Sequence, residues 1–134
     1  MIVVDASVWL SYLVESDINH EASNSWLSGV LAEGEVIVAP VILLAEIAGA
    51  IARQTGNEAL AQKTIDCLLS IPNLRLVIHD YGLSIQAARV AAALRLRGAD
   101  ASYVAVAATI GVPFVSWDKE QLMRAKVVTT TIHV

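Results

Sequence analysis

Apolar residues fall into two kinds of run along this chain. Short continuous runs, Ile2-Val3-Val4, Val36-Ile37-Val38-Ala39, Leu74 to Ile78 and Phe114-Val115-Ser116, alternate with longer stretches in which apolar residues recur every three or four positions. The short runs read as strands buried on both faces and the long ones as amphipathic helices. Helices are expected over Val8 to Val14 and His20 to Ala32, the second ending near Gly34. Pro40 suits the first turn of a helix running to about Gln54, and Asn57 caps another that lasts to about Ser70. A long Ala/Leu/Arg helix from Asp80 to Arg97 closes at Gly98, Asp100 caps a helix through Thr109, and Asp118 caps a short one to about Ala125. Val127 to Val134 is expected as the last strand. Alternation of this kind predicts an α/β fold with three α/β/α layers around a central, mainly parallel sheet of about four to five strands.

Composition bounds this picture. At 134 residues the chain is expected to form one domain over 1–134, and no linker, repeat or low-complexity tract divides it. Hydrophobic residues make up 56% of the chain and the mean hydropathy is +0.61, more apolar material than a small interior needs. The surplus predicts an apolar surface and self-association, a protein partner, or both. Val36 to Ala52 is the most lipid-like stretch, but it is 17 residues long and contains Pro40 and Glu46, so no membrane span is expected. Asp5 interrupts the first apolar run and no basic residue precedes it, which argues against a signal peptide. The single cysteine, Cys67, fits a reducing cytoplasm.

Charge is unevenly spread. Residues 1–52 hold seven acids and no Lys or Arg, whereas residues 53–134 hold nine basic residues and six acids, for a net charge of −4. An acidic protein is a poor general binder of nucleic acid. A local strip of Arg89, Arg95 and Arg97 would serve as well as a solvated helix face would explain them.

Four acids stand out by position. Asp5 ends the first strand, Asp118 follows the strand Phe114-Val115-Ser116, and Asp100 opens the helix leading into that strand. In open α/β sheets the ligand site lies beyond the carboxyl ends of the strands. Taken singly, each Asp is also a favoured helix cap, although Ser7 could cap in place of Asp5. Glu46 has no such explanation: its helical neighbours Ile42, Leu43, Gly49 and Ala50 offer no charge partner, leaving only a polar stripe with Arg53 as the alternative. Carboxylates gathered together repel unless protons or a cation hold them. An all-oxygen set favours Mg²⁺ or Mn²⁺, whose chemistry at two carboxylate-held positions includes phosphodiester hydrolysis.

Asp5-Ala-Ser7, Leu44-Ala-Glu46-Ile47, Gly98-Ala-Asp100-Ala-Ser-Tyr103 and Ser116-Trp-Asp118-Lys-Glu-Gln-Leu122 together resemble the PIN domain, in the order and spacing of its small VapC-like toxins. The resemblance covers essentially the whole chain. It implies an endoribonuclease dependent on Mg²⁺ or Mn²⁺, hydrolysing RNA with a metal-activated water, often homodimeric, and held inactive by a cognate antitoxin. Asp5, Glu46, Asp100 and Asp118 match the family's acidic quartet, and Ser7 and Ser116 match hydroxyl positions beside it, Ser116 standing where Thr is common. No motif fixes the basic residue that meets substrate, so Arg89 and Arg97 are its candidates.

Two other readings compete. A phosphorylation-dependent signalling receiver also gathers acids around Mg²⁺, and Asp80 and Lys119 invite the comparison, but Asp5 is followed by Ala6 and Ser7 rather than by the second acid that fold expects. A PIN-fold binding module without catalysis is the other. His20, His79 and His133 share no metal-ligand spacing, and no Gly-rich phosphate loop is present. Trp9, Trp26 and Trp117 read as core or interface residues, with a rim position open to Trp117.

Overall fold

The computed structural model describes residues 1–134. Five strands, β1 (Ile2–Val4), β2 (Ile37–Pro40), β3 (Leu74–Val77), β4 (Phe114–Ser116) and β5 (Thr131–His133), form one sheet of order β3-β2-β1-β4-β5 with every pairing parallel. Strands β1, β2 and β4 are buried throughout, as unbroken apolar runs require when helices cover both faces.

Helices α1 (Ala6–Leu13) and α2 (His20–Ala32) connect β1 to β2, and α3 (Ile42–Thr55) and α4 (Glu58–Leu69) connect β2 to β3. Helices α5 (Tyr81–Leu94) and α6 (Gly98–Ile110) then carry the chain back to β4, and α7 (Lys119–Ala125) leads to β5. Right-handed crossovers put α1–α4 on one face and α5–α7 on the other, because the chain reverses direction between β3 and β4. The core runs through Val3, Val4, Trp9, Leu43, Ile47 and Phe114, and α6 is its central helix, buried from Ala101 to Ala107. No helix is long and apolar enough to cross a membrane.

Four boundaries differ from the sequence expectation. Pro40 ends β2 instead of opening α3. It pairs with Val77 beyond the last β1 pairing at Val38, so its missing N–H breaks no ladder bond. The Asp80 helix ends at Leu94, three residues early, with Arg95 in the left-handed region (φ 56°). That costly conformation is supported by Arg124, whose Nη1 donates to the carbonyls of Arg95 (2.7 Å) and Leu94 (3.2 Å). Helix α6 starts at Gly98, which puts Asp100 inside its first turn and not at its cap. The final strand shrinks to Thr131–His133 because the N–H groups of Val128 and Thr129 turn back to the Ala125 carbonyl.

Candidate metal centre

Strand order runs outward in opposite directions from the neighbours β1 and β4, so their carboxyl ends border the crevice at the switch point of the sheet. Val4 pairs with Val115, and the Asp5 N–H donates to the Val115 carbonyl at 2.9 Å, which brings Asp5 level with Ser116. Asp5 is 5% exposed. Its Oδ2 accepts from the Ser7 hydroxyl (2.6 Å), the Ser7 N–H (3.2 Å) and the Ser116 hydroxyl (3.0 Å). All three converge on one oxygen and leave Oδ1 clear of side-chain donors. Burial pushes the Asp5 carboxyl above its ordinary range, against the pull of these bonds and of the Ala6 N–H.

Ser116 also ties Asp5 to Asp118, whose N–H donates to Ser116 Oγ at 3.0 Å. Asp118 caps α7 by accepting the Gln121 N–H on Oδ1 at 2.9 Å, so its other oxygen is not used in capping. Ser116 Oγ has one proton, and the ionised Asp5 can only accept. That proton therefore goes to Asp5, and the Gln121 side-chain amide, 3.0 Å away and 3% exposed, meets Ser116 best with its NH₂ donating. In that orientation Gln121 Nε2, otherwise buried without a partner, is satisfied.

Glu46 reaches the same place from the second turn of α3. Its Oε2 accepts from the Tyr103 hydroxyl at 2.6 Å, and Tyr103 is fully buried on α6, three residues after Asp100 and on the same helix face. Burial raises the Glu46 carboxyl, the Tyr103 bond lowers it, and the charges of Asp5 and Asp100 raise it further. Asp100 is likewise raised by burial and by Asp5 and Asp118, with Arg97, 3.7 Å away, acting the other way. Tyr103 is itself pushed strongly upward by burial and Glu46, so it stays a hydrogen-bond donor. Arg53 does share a groove with Glu46 and Ser7, but Arg53 and Glu46 form no ion pair, and Glu46 turns to Tyr103.

The four predicted acids thus lie within reach of one another's fields, with Ser7 and Ser116 among them. Arg97 borders a cleft with Asp100, Asp118, Arg95 and Arg124, whereas Arg89 lies exposed on α5 and borders none of this. Sequence reading passed over Tyr103 and Gln121 as functional residues. Their signals are their places in the motifs that open with Gly98 and Ser116 and their helical spacing, Tyr103 three residues from Asp100 and Gln121 three from Asp118.

These residues fit a divalent cation. The donors are carboxylate and hydroxyl oxygens, three carboxyls are raised partly or wholly by burial and mutual repulsion, and a single arginine opposes that repulsion. No three acidic, His or Cys side chains converge at ligand spacing on one point.

Comparison with known proteins bears on the family and the fold. The PIN domain family model matches residues 2–127. No curated protein matches the sequence. Among solved structures, Mycobacterium tuberculosis VapC20, described as a sarcin-ricin loop cleaving toxin, superposes with a TM-score of 0.76 at 21% identity over 90% of this chain and 92% of that one. VapBC2 from Rickettsia felis, solved with a DNA fragment from its promoter, gives 0.73 at 13% identity over 99% and 98%. FitAcB from Neisseria gonorrhoeae gives 0.68 at 20% identity over 98% and 96%.

Proposed function

Since the chain belongs to the PIN-domain family, we propose that it is an endoribonuclease dependent on Mg²⁺ or Mn²⁺, the toxin of a toxin–antitoxin pair. The observation that carries this reading is the arrangement at the switch point: Ser116 links Asp5 to Asp118 by hydrogen bonds, and Glu46 and Asp100 lie close enough to Asp5 for its charge to raise both carboxyls. A bound divalent ion supplies the positive charge that activates water and offsets charge on the phosphate.

The chain's own residues do the rest. Asp5 presents Oδ1 while Ser7 and Ser116 fix Oδ2, Tyr103 orients Glu46, and Ser116 holds Asp118 in register with Asp5. Such outer hydrogen bonds set ligand direction and basicity. Arg97, at the edge of the Asp100–Asp118 cleft, is better placed than Arg89 to meet a substrate phosphate. A cognate antitoxin and a homodimer belong to the same reading, and the first is supported by the VapBC2 complex among the structural relatives.

A receiver-like role finds less support. Asp80 caps α5 by accepting the Leu83 N–H at 2.8 Å, at the end of an edge strand two strands from β1. A binding module without catalysis is separated by assay. Purified protein should cleave RNA with Mg²⁺ or Mn²⁺, stop on adding chelator, and lose at least about a thousandfold in rate on Asp5→Asn or Asp100→Asn. Cleavage that survives both substitutions would refute the reading.

A further inference from the structure

Beyond the acid crevice, the face of α7 turned toward β5 forms a groove that the site does not use. Lys119, Leu122, Met123 and Lys126 line it from the helix, and Thr131 and His133 line it from the edge strand. Positions 119, 123 and 126 share one helix face, and Thr131 and His133 point to one side of β5. Neither lysine has a carboxylate partner. Glu120, the one acid of α7, is taken by Arg124. His133 is held in place by Trp117, whose ring meets it edge-on at a centroid distance of 5.2 Å. Trp117 in turn is fixed by its indole N–H to Ser23 (2.7 Å) and Ser11 (3.1 Å).

The groove begins beside the crevice along the chain: Lys119, which lines the groove, directly follows Asp118, which lines the acidic cleft on α7's other side. The protein is acidic overall and carries no Lys or Arg in its first 52 residues. Unpaired cations leading away from an acidic centre are the complement of a polyanion that must reach that centre. Lys119 and Lys126 are seven residues apart, about 10.5 Å along the helix. That span suits phosphates of one strand that are not adjacent.

We propose that the α7–β5 groove is a binding track for the RNA backbone, holding phosphates on one side of the scissile bond through Lys119 and Lys126, with His133 and Thr131 as its floor. It rests on the ribonuclease reading and adds a surface to it. Contacts of this type give affinity and placement without reading sequence.

The test uses full-length protein carrying Asp5→Asn, so that RNA binds without being cut, and follows the affinity for a 20-nucleotide RNA against salt. Lys119→Gln with Lys126→Gln should weaken binding about tenfold and reduce the salt slope by about 1.4, two phosphate contacts on a single strand. Lys63→Glu, on exposed α4, changes net charge equally and should leave both quantities unchanged. In the catalytically intact protein, the double lysine variant should lose cleavage of the long RNA and keep it on an RNA too short to leave the crevice. Unchanged affinity and salt slope, or an equal effect from Lys63→Glu, would overturn the track. So would lysine variants that bind RNA normally but fail to bind a protein partner, which would make the groove a protein interface. Wild-type protein that binds RNA through the two lysines yet cleaves none with either metal would leave the track standing and defeat the ribonuclease reading.

Discussion

Asp5 accepts three hydrogen bonds on one oxygen while burial works against its charge, and the second effect is the larger. Asparagine can place its carbonyl oxygen where Oδ2 lies, caps a helix as well as aspartate does, and carries no charge to desolvate. Asp5→Asn should therefore inactivate the protein while stabilising the metal-free form at pH 7 by on the order of 1 kcal/mol. The pH dependence has a definite sign. Asp5, Glu46 and Asp100 all have raised folded-state values, so their contribution is most favourable below the unfolded carboxylate range and is lost as pH rises through the folded values. Urea titrations in chelator should show stability falling between mildly acid and neutral pH, and a shallower fall in Asp5→Asn. Equal slopes in the two proteins would contradict this account. Glu46 was legible in the sequence because nothing within a helical turn could pair with it. Tyr103, its actual partner, was not, because the contact joins two helices 57 residues apart in the chain.

The elements that carry the acids were largely legible, and the joins between them were not. Unbroken apolar runs announced β1, β2 and β4, but Pro40 and Asp100 each satisfied two local rules, and only the sheet register and the start of α6 decide between them. The end of α5 is the clearest case: Gly98 was the obvious stop, yet Arg95 takes the left-handed position because a tertiary contact from α7 supports it. Arg124 thereby links the α5–α6 join, just ahead of Asp100, to the helix that Asp118 caps. Arg124→Ala should lower stability by about 1.5–3 kcal/mol, the range for hydrogen bonds to a charged donor. The exposed pair with Glu120 adds little to that. Arg124→Lys should recover less than half, because an ammonium cannot reproduce the planar fork that meets these acceptors. Urea denaturation of the three proteins checks both statements.

Across the whole molecule, the apolar surplus comes to the surface where β3, α5 and the end of α6 meet. Ile78 is 74% exposed and Tyr81 83%, and Ile78 and Ile110 border a groove with Val77 and Leu83. This is the patch on which the expected self-association would rest. Sedimentation at micromolar concentration should give a dimer for the native chain and a monomer for Ile78→Lys with Ile110→Lys, with the fold unchanged by circular dichroism. A monomeric native chain would remove the prediction. Neither the patch nor its distance from the crevice could be read from composition, which gives the amount of apolar surface but not its address.

The order of the strands also has a consequence in time. β1 is made first, but its neighbour at the crevice is β4, which follows more than a hundred residues later. A ribosome extending this chain releases Asp5, Glu46 and Asp100 before Ser116 and Asp118, so the acidic set is complete only after β4 has been made. On the proposed ribonuclease reading, a nascent chain that has not yet reached β4 lacks the complete acidic set and should not cut the RNA around it.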